Sequence, residues 1–215
     1  LAELVVVVPL EPMIRSYIYD AFILKLTSQW YAEVLSRLPE HSSLLDVGIG
    51  TGGALLANAG LVERKGLRVT GIDIDPDYIE RARRRLQGSA LATRAEVHLE
   101  CVYDHHGGPY DAVYFSGSFM LLPKPEQALR HCAALLTEKG SLYLTQTIQL
   151  QPNRWMEILK PRLKRLTSIE FGRVTYEHEL RAQIDGAGLE LEELTALARE
   201  GSRAFCIAVA RPKAL

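Results

Sequence analysis

Hydrophobic positions change their spacing near residue 40. Before that point Tyr17, Phe22, Leu26, Trp30, Val34 and Leu38 recur every four or five residues, a helical period that starts after Pro12 and closes at Pro39. From Leu44 onward, short apolar runs alternate with amphipathic stretches. The pattern predicts a strand ending in a glycine turn, a helix over 54–65, a strand over 67–74 and a helix over 76–87. Strands at 97–102 and 112–116 follow, then a helix over 125–136 and a strand over 141–147. Strands alternating with helices predict a parallel sheet built from right-handed crossovers, whose ligands bind outside the strands' carboxyl ends. The rhythm breaks after Gln149. Residues 150–172 carry Pro152, Trp155, Pro161 and the basic cluster Lys160, Arg162, Lys164 and Arg165, and read as an insertion over the site. A helix resumes near Tyr176 and ends at Gly188, the residue type that suits a helix C-terminus. Runs over 189–197 and 204–210, joined by Glu200-Gly201-Ser202, read as an antiparallel pair.

The chemistry concentrates in Leu44-Leu45-Asp46-Val47-Gly48-Ile49-Gly50-Thr51-Gly52-Gly53. Glycines at a strand-to-helix turn let backbone N–H groups crowd around a ligand. Asp73 follows at the end of the next apolar run, the spacing at which an acid reaches a ribose hydroxyl. Gly48-x-Gly50-x-x-Gly53 satisfies the dinucleotide fingerprint, a pattern that recurs by chance. Asp46 discriminates, because a dehydrogenase strand normally stays apolar two residues before its first glycine.

With that acid included, the sequence resembles the class I S-adenosylmethionine-dependent methyltransferases, whose first motif reads acid-x-Gly-x-Gly-x-Gly, here Asp46 to Gly52. Gly71-Ile72-Asp73-Ile74-Asp75 is similar to that family's ribose segment, Tyr110 to Ser116 to its fourth strand, and Leu135 to Leu142 to its turn into the fifth. The resemblance spans roughly residues 44–148. It implies a doubly wound, Rossmann-like α/β sheet of seven strands, mostly parallel with an antiparallel last strand and helices on both faces. It implies one domain over 1–215: a helical cap over 1–40, a cofactor-binding core over 41–149, an insertion or lid over 150–172, and a closing helix and hairpin over 173–215. It further implies S-adenosylmethionine as cofactor. Asp46 would hold its amino group, the backbone of Gly48, Gly50 and Gly52 would cradle it, and Asp73, with Ile74 beside it, would take the ribose. Val102 and Tyr103 would meet the adenine, and Ser116 would line the gap between cofactor and acceptor. Asp75-Pro76 reads instead as a helix cap.

The acceptor is less legible. Ser116-Gly117-Ser118-Phe119 stands where an Asn/Asp-Pro-Pro-Tyr/Phe motif would mark methylation of adenine or glutamine, and no Pro-Cys pair marks a cysteine nucleophile. A small molecule with an oxygen, nitrogen or sulfur nucleophile is the expectation. Tyr17, Tyr19 and Trp30 in the first helix and Trp155 in the insertion would form a lid, with Tyr19 nearest the methyl. A nicotinamide-dependent dehydrogenase and a non-catalytic subunit of the same fold remain the alternatives.

Composition narrows the setting. The chain has 215 residues, 47% of them hydrophobic and 24% charged, with a net charge of −1. These values suit one soluble globular domain, exclude a strong field toward nucleic acid or anionic membranes, and predict neither as a partner. No apolar run reaches the length of a membrane span, and the stretch Leu4 to Leu10 is too short. Cys101, Cys132 and Cys206 are scattered and odd in number, so a reducing, cytoplasmic compartment is expected, with no disulfide framework and no metal site. His105 and His106, beside Gly107-Gly108-Pro109, read as an exposed loop, and His131 as a partly buried structural residue. Arg81, Arg83, Arg84 and Arg85 read as surface charge. The chain begins at Leu1 rather than methionine, which leaves room for an upstream segment.

Overall fold

The computed structural model describes residues 12–150 and 175–213, with side chains described from Leu24 onward. Helix α1 (Pro12–Arg37) precedes strand β1 (Ser43–Val47). The helix expected over 54–65 is broken into α2 (Gly53–Leu56) and α3 (Ala59–Arg64). Asn58 sits in the break and its amide donates to Ala54 O and Ser28 O, trading helical continuity for a tie to α1. Next come β2 (Arg68–Asp73) and α4 (Pro76–Gln87), then β3 (Ala95–Leu99) and β4 (Tyr110–Ser116). A 3₁₀ turn (Phe119–Leu121) and α5 (Pro125–Ala134) lead to the long β5 (Leu136–Gln149). The two-residue β6 (Thr175–Tyr176), α6 (Glu177–Gly186), β7 (Leu189–Glu200) and β8 (Arg203–Pro212) complete the chain.

The sheet order is β3-β2-β1-β4-β5-β8-β7, with β6 paired to β5 as an eighth, minor strand. β8 lies antiparallel to both β5 and β7, as the closing hairpin predicts, and the other pairs are parallel. The chain winds outward from β1 to β3, then returns past β1 to β4. Their crossovers therefore diverge over the carboxyl ends of β1 and β4, which is where such sheets leave a crevice. Strand residues alternate between two buried cores. Leu44, Val69, Ala112, Tyr114 and Tyr143 pack with α1, α2, α3 and α4. Leu45, Val47, Val113, Phe115, Leu142 and Leu144 pack with α5 and α6 on the opposite face. Among the described residues no helix is long and apolar enough to cross a membrane.

Three polar ties seat α1 on its face. Asn58 reaches Ser28 O, the Lys65 ammonium donates to Leu35 O and Ser36 O at 3.1 and 2.7 Å, and Arg37 pairs with Glu193 of β7 at 2.7 Å. The lysine sits where a helix C-terminus favours a cation. These contacts fix the rotation of α1 and so direct Trp30 and Tyr31 onto the sheet, where both are buried.

Candidate functional site

β1 leaves the sheet at Val47 and the chain turns through Gly48, Gly50 and Gly52, all at positive φ. Gly48 (φ 80°) is required by packing as well, because a Cβ there would stand 2.5 Å from Ser118 Cβ. Ser118 in turn donates its hydroxyl to Val47 O, so the loops after β1 and β4 are clasped together. Gly50 (φ 58°) is different: nothing lies within 4 Å of where its Cβ would be. Its left-handed backbone faces open space, the cradle that an incoming ligand can fill. Its N–H donates to Asp73 Oδ2 at 2.9 Å, and the other Asp73 oxygen accepts from Asp75 N–H at 3.0 Å. Asp73 thus ties the glycine turn to the end of β2 and keeps a free acceptor position on each oxygen, a carboxylate having about four. Asp75 caps α4 as expected, accepting from Asp77 N and Tyr78 N with Pro76 at the first helical position. Ile74 between the two acids is 74% exposed, an open apolar surface beside Asp73.

Asp46 lies one strand position before the turn, fully buried on the α1 face. Its Oδ2 accepts the Tyr31 phenol, while Oδ1 is buried with no hydrogen-bond partner. An unpaired buried carboxylate oxygen is costly. Burial pushes the Asp46 carboxyl up to about 7, the Tyr31 bond opposes this, and the nearby charge of Asp73 adds to it. Tyr31 is itself held neutral by burial and by the facing carboxylate. Its ring meets Tyr114 edge-on at 5.0 Å, and the Tyr114 hydroxyl bonds Thr145 Oγ1 at 2.8 Å. Ser116, at the end of β4 and in register with Thr145, has a buried hydroxyl with no hydrogen bond of ordinary geometry, although it lies near enough to the Tyr114 phenol to favour its ionised form. The α1 face therefore carries a polar seam from β1 to β5 in which Asp46 and Ser116 retain unused bonding capacity.

Packed aromatic rings border the seam. Trp30 stands 3.5 Å from the Cβ position of Gly117, just beyond β4, and its ring lies 6.1 Å from that of Phe205. Phe205 opens β8 opposite Thr147, and because β8 is antiparallel its beginning lies at the carboxyl edge of β5.

The structure gathers Asp46, Gly48, Gly50, Gly52, Asp73, Ile74 and Ser116 around the β1–β4 crevice. Two expectations in the loop after β3 change. β3 ends at Leu99, so Val102 falls beyond it, and at 4% exposure Val102 belongs to the core that contains Phe119 and Leu129 rather than offering a face to a ring. His105 is not in an exposed loop: it is 4% exposed, with Nδ1 2.7 Å from Glu100 and Nε2 2.9 Å from the Tyr110 hydroxyl. Its carbonyl engages Nε2 of the part-buried His131, so this histidine braces the loop. Tyr103 is half-buried and its hydroxyl accepts from Lys124 N at 3.1 Å, which anchors the loop to the start of α5. The side chains of Tyr17 and Tyr19, and Trp155 with the basic cluster of 160–165, lie outside the described residues. Tyr31, Thr145 and Phe205 were not singled out by sequence. Each reads as ordinary core at helical or strand spacing, and only the fold brings them to the edge.

A family model described as a methyltransferase domain matches residues 45–142. A ubiquinone biosynthesis O-methyltransferase of Bordetella avium (strain 197N) is 30% identical over 173 residues, covering 77% of this chain and 68% of that protein. Among solved structures, a [4+2]-cyclase superposes with a TM-score of 0.69 at 16% identity, covering 88% of this chain and 81% of the other. Geranyl diphosphate C-methyltransferase from Streptomyces coelicolor A3(2), solved with S-adenosyl-L-homocysteine, gives 0.67 at 14% identity, with 88% and 79% covered. At these identities the structural likenesses establish the fold, while the sequence relative carries the family.

Proposed function

Because this chain belongs to the class I S-adenosylmethionine-dependent methyltransferases, we propose that its own reaction places the methyl group on a hydroxyl oxygen of a flat, aromatic small molecule. It is an enzyme, its cofactor is S-adenosylmethionine and its acceptor is a small molecule. When bound, the cofactor supplies a methyl group on a positively charged sulfur, which an acceptor oxygen displaces with loss of its own proton to water. The chain's task is alignment, and well-oriented reacting pairs reach effective molarities of ~10⁵–10⁸ M without a dedicated acid or base.

The residues present fit the cofactor. Asp46 Oδ1, buried and unpaired, would accept from its amino group, with Tyr31 fixing the carboxylate plane. Gly50 leaves the open space that the cofactor would occupy, and Gly48 and Gly52 shape the turn. Asp73 would take the ribose hydroxyls on its remaining acceptor positions, while Ile74 gives an exposed apolar face to the adenosine end. Tyr103 would contribute backbone groups from the loop after β3, and Ser116 would stand between cofactor and acceptor.

The observation that carries the acceptor class is the Trp30–Phe205 pair beside Gly117, a buried ring and a part-buried one bordering the polar seam, which suit a planar ligand. The name of the Bordetella relative supports oxygen as the nucleophile. Tyr19 and Trp155 remain candidates for the same pocket. We place the enzyme in the cytoplasm, supported by the free thiols of Cys101, Cys132 and Cys206, and without a nucleic-acid partner, supported by its near-neutral charge. Purified protein incubated with S-adenosylmethionine and, separately, catechol, phenol, benzylamine and thiophenol tests the reading by mass spectrometry. A methyl ether formed together with S-adenosylhomocysteine is expected. Methylation confined to the amine or the thiol overturns oxygen, and no turnover of any aromatic overturns the acceptor class.

A further inference from the structure

Among the described residues, three side chains hold buried polar atoms without a hydrogen bond of ordinary geometry: Asp46 Oδ1, Ser116 Oγ and both amide atoms of Gln146. They are not scattered. They sit on β1, β4 and β5, three consecutive strands of the sheet: Asp46 and Ser116 at the carboxyl ends of β1 and β4 on the α1 face, and Gln146 three residues before the end of β5 on the opposite face. Other buried polar side chains of the same strands are paired, as Thr145 is with Tyr114 and Gln149 with Ser202. Folded proteins satisfy buried polar groups, and departures concentrate where a ligand completes the set. Asp46 and Ser116 are absorbed by the cofactor and the space beside it. Gln146 is not.

Its position specifies what it faces. Gln146 follows Thr145, the register partner of Ser116, whose carbonyl accepts from Gly117 N–H at 2.7 Å. It is therefore level with Gly117, where β4 has ended and no longer screens one sheet face from the other. Strand alternation puts it on the face of Leu144 and Ile148, where β5 touches the 3₁₀ turn that follows Gly117. It is 1% exposed and lies two strands from Asp46 on the side away from Asp73, remote from the nucleoside end of the crevice.

We propose that Gln146 is an acceptor-binding residue, whose amide takes a polar substituent of the methyl acceptor, Nε2 donating to an oxygen and Oε1 accepting from a hydroxyl. This rests on the methyltransferase reading and extends the site from β4 to β5. It selects acceptors that carry a second oxygen function besides the one methylated, since a single oxygen leaves half of the amide unsatisfied. The amide is kept at a cost to the unliganded fold, which a purely structural residue at this position would not impose.

Gln146→Met keeps the length and removes the polarity. Its unliganded melting midpoint should rise by about 3 °C, as removal of an unsatisfied group predicts for a chain of this size. Its dissociation constant for S-adenosylhomocysteine should stay within twofold of wild type, while KM for catechol rises at least tenfold more than KM for phenol. A lower melting midpoint, cofactor affinity weakened in step, or equal effects on catechol and phenol would overturn the proposal. A second measurement needs no turnover. In the ¹⁵N-labelled protein with S-adenosylhomocysteine bound, the side-chain amide signal missing from Gln146→Met should shift on adding catechol. A shift without catalysis would sustain Gln146 while refuting the proposed reaction, and an unmoved signal with catechol turned over would do the reverse.

Discussion

The proposed role of Asp46 would make a proton part of cofactor binding. Its carboxyl titrates near 7 in the unliganded protein, raised first by burial, whereas an unburied aspartate titrates at 3.8. The difference amounts to about 4 kcal/mol against ionisation in the empty site. An amino group arriving as a cation beside Oδ1 favours the ionised form and pulls the value back down. Through Asp46, binding at pH 6 should therefore release most of a proton, and binding well above pH 7 only a small fraction of one. Titration calorimetry in buffers of different ionisation enthalpy measures this directly, because the observed enthalpy then varies in proportion to the protons released. Two variants assign the proton. Asp46→Asn should abolish the buffer dependence and weaken binding by about 1.5–3 kcal/mol, the range for a hydrogen bond to a charged partner. Tyr31→Phe removes the bond that holds the carboxyl down, so its release should persist to higher pH than in wild type. A wild-type enthalpy at pH 6 that is independent of buffer, or an Asp46→Asn variant that releases the same proton, would remove Asp46 from this role.

The same shift has a consequence for stability. A carboxyl raised in the folded state favours folding below its unfolded value, near 4, and this contribution is lost as pH rises through its folded value. From this one group the unliganded protein should lose up to about 4 kcal/mol between pH 4 and pH 7, superimposed on all other titrations, and Asp46→Asn should flatten that part of the curve.

Gly50→Val should eliminate binding of S-adenosylmethionine while circular dichroism still reports a folded chain, because a β-branched residue resists φ 58° and fills the open space; retained calorimetric binding would reduce the loop to a structural turn. Asp73→Ala should weaken the cofactor by about 1.5–3 kcal/mol, and hydrogen exchange should show the Gly50 amide losing protection, since that side chain also holds the glycine turn; an unchanged dissociation constant would move the ribose role to Asp75. Phe205→Ala should raise KM for the aromatic acceptor at least tenfold with cofactor affinity unaltered, measured by S-adenosylhomocysteine release, and equal losses for both ligands would return the Trp30–Phe205 pair to plain packing.

Much of the sheet was readable because its signals are local. The strand-to-glycine turn, the run ending at Asp73 and the Asp75-Pro76 start of α4 each specify geometry within a few residues, and each stands where the pattern put it. The misreadings came from partners distant in sequence. Nothing in residues 54–65 announces that Asn58 will spend its amide on a carbonyl 30 positions earlier, and that bond coincides with the helix break. His105 looks like loop beside two glycines and a proline until Glu100 and Tyr110 close on its two nitrogens. Val102 had the right residue type for an adenine contact, but β3 stops three residues short of it and the chain turns it inward. The cofactor motif was legible for the same reason that it recurs in a family: its demands are met by consecutive residues. On the proposed acceptor side the sequence pointed to Trp30 and Ser116 but not to Gln146 or Phe205, because the four come from four different elements.

The proposed site also gives α1 a role beyond packing. Adjacent residues of a helix point about 100° apart, so Trp30 and Tyr31 cannot serve the same contact. Tyr31 turns to Asp46 and orients its carboxylate, the proposed partner of the cofactor's amino group, while Trp30 turns to Gly117 and Phe205, the proposed acceptor edge. A rotation of α1 that improved one contact would spoil the other. The ties from Asn58, Lys65 and Arg37 oppose such a rotation, and they come from the α2–α3 break, the end of α3 and the pairing of Arg37 with β7. Alignment of donor with acceptor is what this reaction chiefly requires of the protein. On the proposed roles of Asp46 and the Trp30–Phe205 pair, one helix tied to α3 and to β7 would align the two halves of the site.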